Sequence, residues 1–404
     1  MSVSRSIAWV VWLVASLFYA YQYVLRVMPN IMMGDITQQF HIDTLVFGQF
    51  SGVYYLGYSL MHIPIGIMLD RFGPRRVMTG CILLTVIGML PIIYAENWVY
   101  PILGRALIGI GSSAAILGTF KIIRMTFNER YFTRMLSFSV TIGLIGAIYG
   151  GAPLAYMCET LGYKAVVQIL AYFGIFLALV TYCIVPNMKN CYQGSALSNL
   201  KEVLTNRRVV ALCLFAGFMV GPLEGFADVW GSGFLKQVYG FDTTVASYIP
   251  SMIFLGMCFG APALSFIAEK TGNYLAVIMA AGFVMMLSFI ALILGAMTAN
   301  VMIVSFIVVG ICCAYQILAI YKASTYVSEH VVGLTTAIAN MIIMSFGYAF
   351  HSIIGIVVNT FGGVGVSKAL VYGIGVIPLT LAIGVIGCFI LLYQERDLVK
   401  LKMN

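Results

Sequence analysis

Two long apolar runs flank the charged stretch Gly66-Ile67-Met68-Leu69-Asp70-Arg71-Phe72-Gly73-Pro74-Arg75-Arg76. A weaker copy, Glu269-Lys270-Thr271-Gly272, lies between another pair of apolar runs about 200 residues further along the chain. Both copies contain an acid, a base, one variable residue and a glycine. Since a pattern that returns at a fixed spacing indicates a duplicated architecture, we expect two related units within the 404 residues.

The composition fits a lipid bilayer better than water. Hydrophobic residues make up 61% of the chain and charged residues 9%, which leaves too little polar surface to cover a water-soluble protein of this length. Runs of about 20 apolar residues, enough to cross about 30 Å of hydrocarbon, predict an all-α membrane protein with twelve transmembrane helices. The predicted spans are 7–29, 46–69, 77–95, 98–122, 134–157, 165–186, 208–235, 245–267, 274–297, 300–322, 333–358 and 369–393.

The distribution of cations predicts the orientation. With both termini in the cytoplasm, seventeen Lys and Arg residues fall in the inner segments, and the outer loops keep only Lys164, Lys236 and Lys368. The net charge of +8 is then a topology signal, and nucleic acid is not needed to explain it. We expect a multi-pass protein of the cell (inner) membrane.

The longest polar stretch, from Pro186 to Arg208, lies at the midpoint of the chain. We interpret it as a linker, with a short amphipathic helix on the membrane face as an option. The predicted organisation is a six-helix bundle over 1–186, a cytoplasmic linker over 187–207 and a second six-helix bundle over 208–404.

The loop after the second span resembles the signature loop of the major facilitator superfamily, and Arg105 with Gly109 and Gly111 resembles the second motif of that family. The resemblance implies two pseudo-symmetric six-helix bundles. It also implies that the loop residues control conformation and do not bind substrate. These residues are Gly66, Asp70, Arg71, Gly73, Arg75 and Arg76, with Glu269, Lys270 and Gly272 in the copy. The simpler alternative is a positive-inside loop with a glycine turn.

The fifth span contains Gly146-Ala147-Ile148-Tyr149-Gly150-Gly151-Ala152-Pro153, which resembles the antiporter motif of the family. It departs from that motif at Ala147, where the motif has proline, and at Ile142, where it has its first glycine. This departure argues against an exchanger. Close helix packing alone explains the glycines.

The first span carries a polar and aromatic face. A charge near the bilayer centre costs roughly 2.5 to 3.5 kcal/mol and is kept only with a partner or a water-filled cavity. Tyr19, Gln22, Tyr23 and Arg26 follow a spacing that places them on one side of a helix. We expect this face to line a substrate cavity.

The seventh span carries two acids. Glu224 and Asp228 are four residues apart and share a helix face, and Pro222 with nearby glycines weakens the helix around them. Two carboxylates so close in a poorly hydrated site do not both ionise easily, so one is expected to hold a proton. We interpret the pair as a proton-coupling device, with Trp230 as a further residue of the substrate site or gate.

The repeat connects the first and seventh spans, because Asp228 follows Arg26 by 202 residues. In the family fold these two spans are symmetry mates. We therefore predict that Arg26 pairs with Asp228 or Glu224 as an outer gate. The alternative is a static ion pair.

The fourth span is ambiguous. Arg105, Ser112 and Thr119 recur at intervals of seven on one face, whereas Lys121 points about 160° away from Arg105. Lys121 has a counterpart in Lys322. The two lysines are expected either to extend toward the membrane boundary or to serve as an inner gate or substrate ligand.

Two of the four histidines lie in predicted spans, and the chain has nine cysteines. His62 and His351 lie in predicted spans, where they either relay protons or act as hydrogen-bonded packing residues. The cysteines show no spacing typical of metal sites or disulfides. We therefore expect no metal, no cofactor and no catalytic residues.

Two membrane-embedded repeats indicate secondary active transport by alternating access. The sequence shows no P-loop, so an ion gradient is the expected energy source. We predict a monomeric transporter, not an enzyme, that moves an amino acid, a similar small zwitterion or an organic acid together with protons. The alternatives are a uniporter or exchanger of organic anions, favoured by Arg26, Arg105 and Lys121, and a receptor of the same fold that does not transport.

Overall fold

The computed structural model of the chain describes residues 5–127, 132–186, 196–295, 297–328 and 331–403. All the secondary-structure elements within these ranges are helices. The predicted all-α fold class is confirmed.

The chain forms two compact units. The first unit contains Met1–Gln193 and Asp242–Ser251, and the second contains Gly194–Phe241 and Met252–Asn404. The predicted boundaries at 186 and 208 stay predictions. Residues 187–195 of the predicted linker lie outside the described residues.

The first unit contains eight helices, and some pairs of consecutive helices are two pieces of the same span. They are α1 (Arg5–Phe40), α2 (Thr44–Leu60), α3 (His62–Phe72), α4 (Pro74–Tyr94), α5 (Val99–Thr126), α6 (Phe132–Tyr149), α7 (Ala152–Leu161) and α8 (Tyr163–Ile184).

The second unit begins with α9 (Ala196–Thr205) and α10 (Arg207–Gly217), followed by a π-helical segment, Gly221–Trp230, which we call the π segment. The remaining helices are α11 (Gly231–Tyr239), α12 (Thr243–Thr271), α13 (Tyr274–Ile293), α14 (Ala299–Cys313), α15 (Tyr315–Ser324), α16 (Val332–Thr360) and α17 (Ser367–Met403). The start of α12 belongs to the first unit by its contacts.

By length and composition, eleven helical stretches in the described residues are able to cross a membrane, and the count reaches twelve when one bent pair is taken as a single span. That pair is Thr44–Leu60 with His62–Leu69, which bend by 45° at Met61. This result agrees with the predicted spans.

Several spans differ in detail from the apolar runs. The first was predicted to end at residue 29, yet α1 continues through Pro29 to Phe40. The seventh was predicted as one α-helix, yet it changes to the π segment at Gly221. Apolar runs locate the part of a helix that lies in lipid, but they carry no information on polar extensions or on changes of helix type.

Glycines permit a close crossing of α2 and α5 in the first unit. A Cβ atom on Gly57 of α2 would collide with the carbonyl oxygen of Ala106, and one on Gly109 of α5 would collide with the carbonyl oxygen of Tyr54. Only glycine permits these backbones to approach so closely. The packing explains Gly109 of the second sequence motif.

The second unit repeats this crossing. A Cβ atom on Gly256 of α12 would collide with the carbonyl oxygen of Ile307, and one on Gly310 of α14 would collide with the carbonyl oxygen of Ile253. Gly256 and Gly310 follow Gly57 and Gly109 by about 200 residues, the spacing of the loop motifs. The duplication therefore extends to the contacts inside each unit.

This repeat yields a prediction. We expect Gly109→Ala and Gly310→Ala each to lower the melting temperature of the detergent-solubilised protein by several degrees, because the added methyl group meets backbone. The matched control is Gly80→Ala in α4, where nothing lies within 4 Å of the added carbon. There the better helix propensity of alanine predicts an unchanged or slightly higher value. Equal effects at all three positions would contradict the assignment.

Candidate functional site

Arg105 repairs a break in α1. Pro29 has no N–H, so the carbonyl of Leu25, four residues earlier, loses its helical donor. The Nη1 atom of Arg105 donates to this carbonyl, and Nη2 donates to the carbonyl of Arg26 at 2.7 Å. Arg105 is 0% exposed and lies over the ring of Tyr54 at 4.8 Å from its centroid. Its guanidinium therefore holds backbone in place.

Arg26 lies among tyrosines in the first unit. Its guanidinium carbon is 5.1 Å from the ring centroid of Tyr23 and 5.2 Å from that of Tyr55, and the residue is only 4% exposed. The ring of Tyr19 contacts that of Tyr23 edge to face, at 5.2 Å between centroids. Cation–π contacts of this kind stabilise a guanidinium away from water. The structure thus brings three of the four predicted residues of α1 into one cluster.

The fourth predicted residue, Gln22, accepts a hydrogen bond from the hydroxyl of Tyr54 at 2.7 Å. The ring of Tyr58 stacks on that of Tyr54 and contacts His62, whose Nδ1 lies 2.7 Å from the carbonyl oxygen of Tyr58. Tyr54, Tyr55 and Tyr58 were not predicted as site residues. Their spacing within one span was a sequence signal, since it places buried tyrosines on neighbouring faces of a helix.

The π segment carries both predicted acids. All ten of its residues are buried, and Glu224 and Asp228 are each 0% exposed. The Nε2 atom of Gln316 on α15 donates to Oε1 of Glu224 at 3.5 Å. π-Helical turns are rare and are frequently found at functional sites. The arrangement places two titratable groups in an apolar and irregular part of a span.

One side of the π segment packs on aromatic rings. Phe226 contacts Phe234, Phe289 and Phe306, with ring centroids 6.0, 5.2 and 5.3 Å away. These rings come from α11, α13 and α14 of the second unit. They exclude water from this side of the segment.

The other side of the π segment faces α16. The indole Nε1 of Trp230 donates to Nδ1 of His351 at 3.2 Å, and both side chains are 0% exposed. The structure therefore places the predicted gate residue Trp230 in a buried hydrogen bond. The two alternatives for His351, proton relay and packing, stay predictions.

Tyr315 is a second residue that sequence reasoning missed. Its hydroxyl donates to the carbonyl oxygen of Ala216 at 2.7 Å, at the end of α10, where the α-helical pattern stops. Tyr315 comes from the tenth span, as Arg105 comes from the fourth. In each unit a side chain from the fourth span of that unit thus donates to backbone at a break in the first.

The loop motif has an ordered turn at its centre. Gly73 has a φ of 81°, a left-handed conformation that favours glycine, and it joins α3 to α4. Nε of Arg75 donates to the carbonyl oxygen of Tyr182 on α8, whereas Arg71 and Arg76 are exposed and Gly66 lies in α3. The side chain of Asp70 lies outside the described residues.

The copy of the motif also has a glycine with a positive φ. Gly272 has a φ of 65°, and the side chain of Asn273 caps α13 by accepting from the backbone N–H of Ala276 at 3.1 Å. Glu269 and Lys270 are exposed. Both loops therefore use a left-handed glycine to end one helix before the next begins.

The two predicted lysines differ in surroundings. Lys121 is half-buried near the end of α5. Nζ of Lys322 lies 2.9 Å from Oε1 of Glu395 on α17. The ion pair gives Lys322 a structural contact, which weakens the idea that it binds substrate.

Glu395 contacts residues near the end of another helix of the second unit. It accepts a hydrogen bond from the hydroxyl of Tyr326 at 2.6 Å, and the carbonyl oxygen of Tyr326 accepts from Nδ2 of Asn206 at 2.8 Å. Burial, and next the hydrogen bond to Glu395, raise the pKa of Tyr326 above its ordinary value of 10.0. Tyr326 lies just beyond the tenth span, which ends at Ser324.

We predict that Tyr326→Phe lowers the melting temperature by a few degrees at neutral pH, because a hydrogen bond to a charged group contributes about 1.5 to 3 kcal/mol. A pKa raised in the folded state means that this contribution is fully present below about pH 10 and is lost as the pH rises through the folded value. The difference between wild type and variant should therefore shrink only in alkali. Tyr393→Phe, at a residue 61% exposed, is the control. A difference that does not depend on pH up to strong alkali would refute the assignment.

The remaining predicted residues are placed separately. Arg26 lies in the first unit and Glu224 and Asp228 lie in the second, so their pairing stays a prediction. Thr119 donates to the carbonyl oxygen of Ala115 at 2.7 Å, and Ser112 is fully buried. No group of three or more metal-ligating side chains occurs among the residues that the structure describes.

Solved structures share this fold. A bacterial homolog of the human lysosomal transporter Spinster, in an inward-facing and unoccupied conformation, superposes with a TM-score of 0.73 at 17% identity, covering 97% of this chain and 96% of that one. A POT family transporter in complex with 5-aminolevulinic acid gives a TM-score of 0.75 at 15% identity, with 96% of each chain covered. At these identities the likeness concerns the fold alone.

The curated relatives match a smaller share of this chain than the solved structures do. A probable L-galactonate transporter of Escherichia coli (strain K12) is 23% identical over 246 residues, 57% of this chain and 54% of the relative. A nitrite extrusion protein of Bacillus subtilis (strain 168) is 20% identical over 257 residues, 61% of this chain and 62% of that protein. The chain spans about half the length of the curated relatives it matches.

The sequence profile of the Major Facilitator Superfamily matches residues 11–352, most of the chain. The match covers both motif loops and all the breaks described above. It confirms the predicted family, and it agrees with a transporter rather than an enzyme. The chain therefore belongs to the Major Facilitator Superfamily, as the loop between its second and third spans predicted.

Proposed function

We propose that the protein is a secondary active transporter that moves a small polar metabolite by alternating access, in symport with protons. The substrate class is an amino acid, a similar small zwitterion or an organic acid. We further propose that it is a monomer of the inner membrane. Both termini are proposed to lie in the cytoplasm, because the cations follow the positive-inside rule.

In this proposal the first unit supplies Arg26 as the cation that binds a carboxylate of the substrate. Arg26 is buried, and the rings of Tyr23 and Tyr55 hold its guanidinium. Arg105 donates to backbone carbonyls, so it is a positioning residue for α1 and not a second ligand in this proposal. A planar guanidinium binds carboxylates well, because its N–H groups match the two oxygens.

The second unit supplies the proton site. The observation that carries the proposal is that Glu224 and Asp228 are both 0% exposed on one short segment of a membrane span. A charged carboxylate is expensive there, and two are more so. Uptake of one proton by the pair relieves that cost, which links the charge of the segment to the proton gradient.

The alternative, uniport or exchange of organic anions, has some support of its own. Two relatives are named for galactonate and for nitrite, both of which are anions. Arg26 alone would serve such a substrate. Proton coupling distinguishes the two proposals, because only symport needs Glu224 and Asp228.

The first test measures proton uptake into proteoliposomes on addition of galactonate or alanine, which stand for the organic acids and the zwitterions. We expect uptake with at least one of them in the wild type. Asp228→Asn and Glu224→Gln should abolish solute-driven proton uptake while counterflow of the labelled solute persists. Glu159→Gln, at an exposed glutamate of α7, is the matched control.

The outcomes separate the candidates. Unchanged coupling in both variants would remove the carboxylates from the mechanism and favour uniport or exchange. Binding of a solute without counterflow would indicate a receptor.

The second test concerns Arg26. We expect Arg26→Gln to weaken the binding of the transported solute by ten- to a hundredfold, the effect of losing about 1.5 to 3 kcal/mol of charge-assisted hydrogen bonding. Arg26→Lys should recover only part of it, since an ammonium does not bind both oxygens in the same plane. Thermal-shift titration of the purified variants measures both effects. Equal affinity in Arg26→Gln and wild type would exclude Arg26 as the carboxylate ligand.

A further inference from the structure

The π segment holds both proposed proton-binding groups within ten consecutive residues. A π-helix is rare and occurs mostly as a single-turn bulge. We infer that the ten-residue run seen here depends on the contacts around it. The contacts that hold this segment therefore also fix where Glu224 and Asp228 lie.

Helix α16 runs along the segment. A Cβ atom on Gly221 would approach Cε1 of Phe350 to 2.6 Å, so glycine is needed for this close contact. Gly225 lies against Phe350 and Ile354 at ordinary van der Waals distance, 3.6 Å or more from an added Cβ. These contacts are apolar and do not by themselves specify one register.

The hydrogen bond from Trp230 to His351 is directional. The indole has one donor and no acceptor, so a buried indole N–H requires an acceptor such as Nδ1 of His351, 3.2 Å away. Because Nδ1 accepts, the neutral imidazole carries its proton on Nε2. This bond fixes the last residue of the segment, two positions after Asp228.

We propose that His351, as the Nε2–H tautomer, is a positioning residue that holds the indole of Trp230 and thereby keeps the π register in which Glu224 and Asp228 bind protons. The inference rests on the proposed function, because it assigns His351 a purpose only if those carboxylates titrate. It needs no proton transfer through His351 itself.

The test compares two substitutions of the same histidine. The amide oxygen of asparagine can replace Nδ1 as an acceptor, whereas leucine cannot accept at all. We therefore expect His351→Asn to retain, and His351→Leu to lose, the native environment of Trp230. Fluorine NMR of the full chain labelled with 5-fluorotryptophan reports this, since the chain has four tryptophans and Trp230→Phe assigns one resonance.

The second readout is the midpoint of carboxyl protonation, followed by infrared absorption of the protonated carboxyl group over a pH series. Glu224→Gln and Asp228→Asn identify the band of the pair. We expect His351→Leu to move this midpoint by about one pH unit and His351→Asn to restore it. Trp230→Phe should move it by the same amount, with no further change when combined with His351→Leu.

The control is His62→Leu, which removes a buried histidine of the first unit. It should leave the Trp230 resonance and the carboxyl midpoint unchanged. Native resonances from the other three tryptophans show that each variant is folded.

The proposal is overturned if His351→Leu leaves the resonance and the midpoint as in wild type, or if asparagine is no better than leucine. These readouts require no transported solute. A failure here, with proton coupling abolished in Asp228→Asn, rejects the role of His351 alone. A shifted midpoint in a protein without coupled transport rejects the proposed function alone.

Discussion

A bilayer offers the backbone no hydrogen-bond partners, so each break in a membrane helix has to be repaired by the protein. Pro29 breaks the pattern in α1, and Arg105 donates to the carbonyls of Leu25 and Arg26. At the end of α10 in the second unit, the carbonyl of Ala216 accepts from the backbone N–H of Met219 and also from the hydroxyl of Tyr315. Arg26 and the π segment lie close to these two positions along the chain.

The sequence allowed much of the fold to be predicted. Apolar run lengths located the spans, and the repeated loop with Arg105 and Gly109 identified the family, since both features are local in the chain. The bend at Met61 was missed, and so was the helix type of the π segment, where Pro222 and its glycines had predicted only a weakened helix. Neither feature changes the apolar pattern on which the predicted spans rest.

The candidate site, like the fold, was predicted from the sequence only in part. Charges inside spans pointed to Arg26, Glu224 and Asp228, and the structure shows all three deeply buried. Charge alone did not distinguish Arg105, which holds backbone, from Arg26, which packs among tyrosines. The partners that make this distinction are far apart in sequence, as are Trp230 and His351, so local periodicity does not reveal them.

The two units share one pattern of helix packing but differ in their buried charged residues. The glycine crossings recur at equivalent positions, Gly57 with Gly109 and Gly256 with Gly310, whereas a cation lies in the first unit where acids lie in the second. After a gene duplicates, a position that admits only a hydrogen atom has no room to vary, while the side chains around it do. The paired glycines therefore preserve the packing that the two halves have in common. The side chains around them differ between the halves and account for their different chemistry.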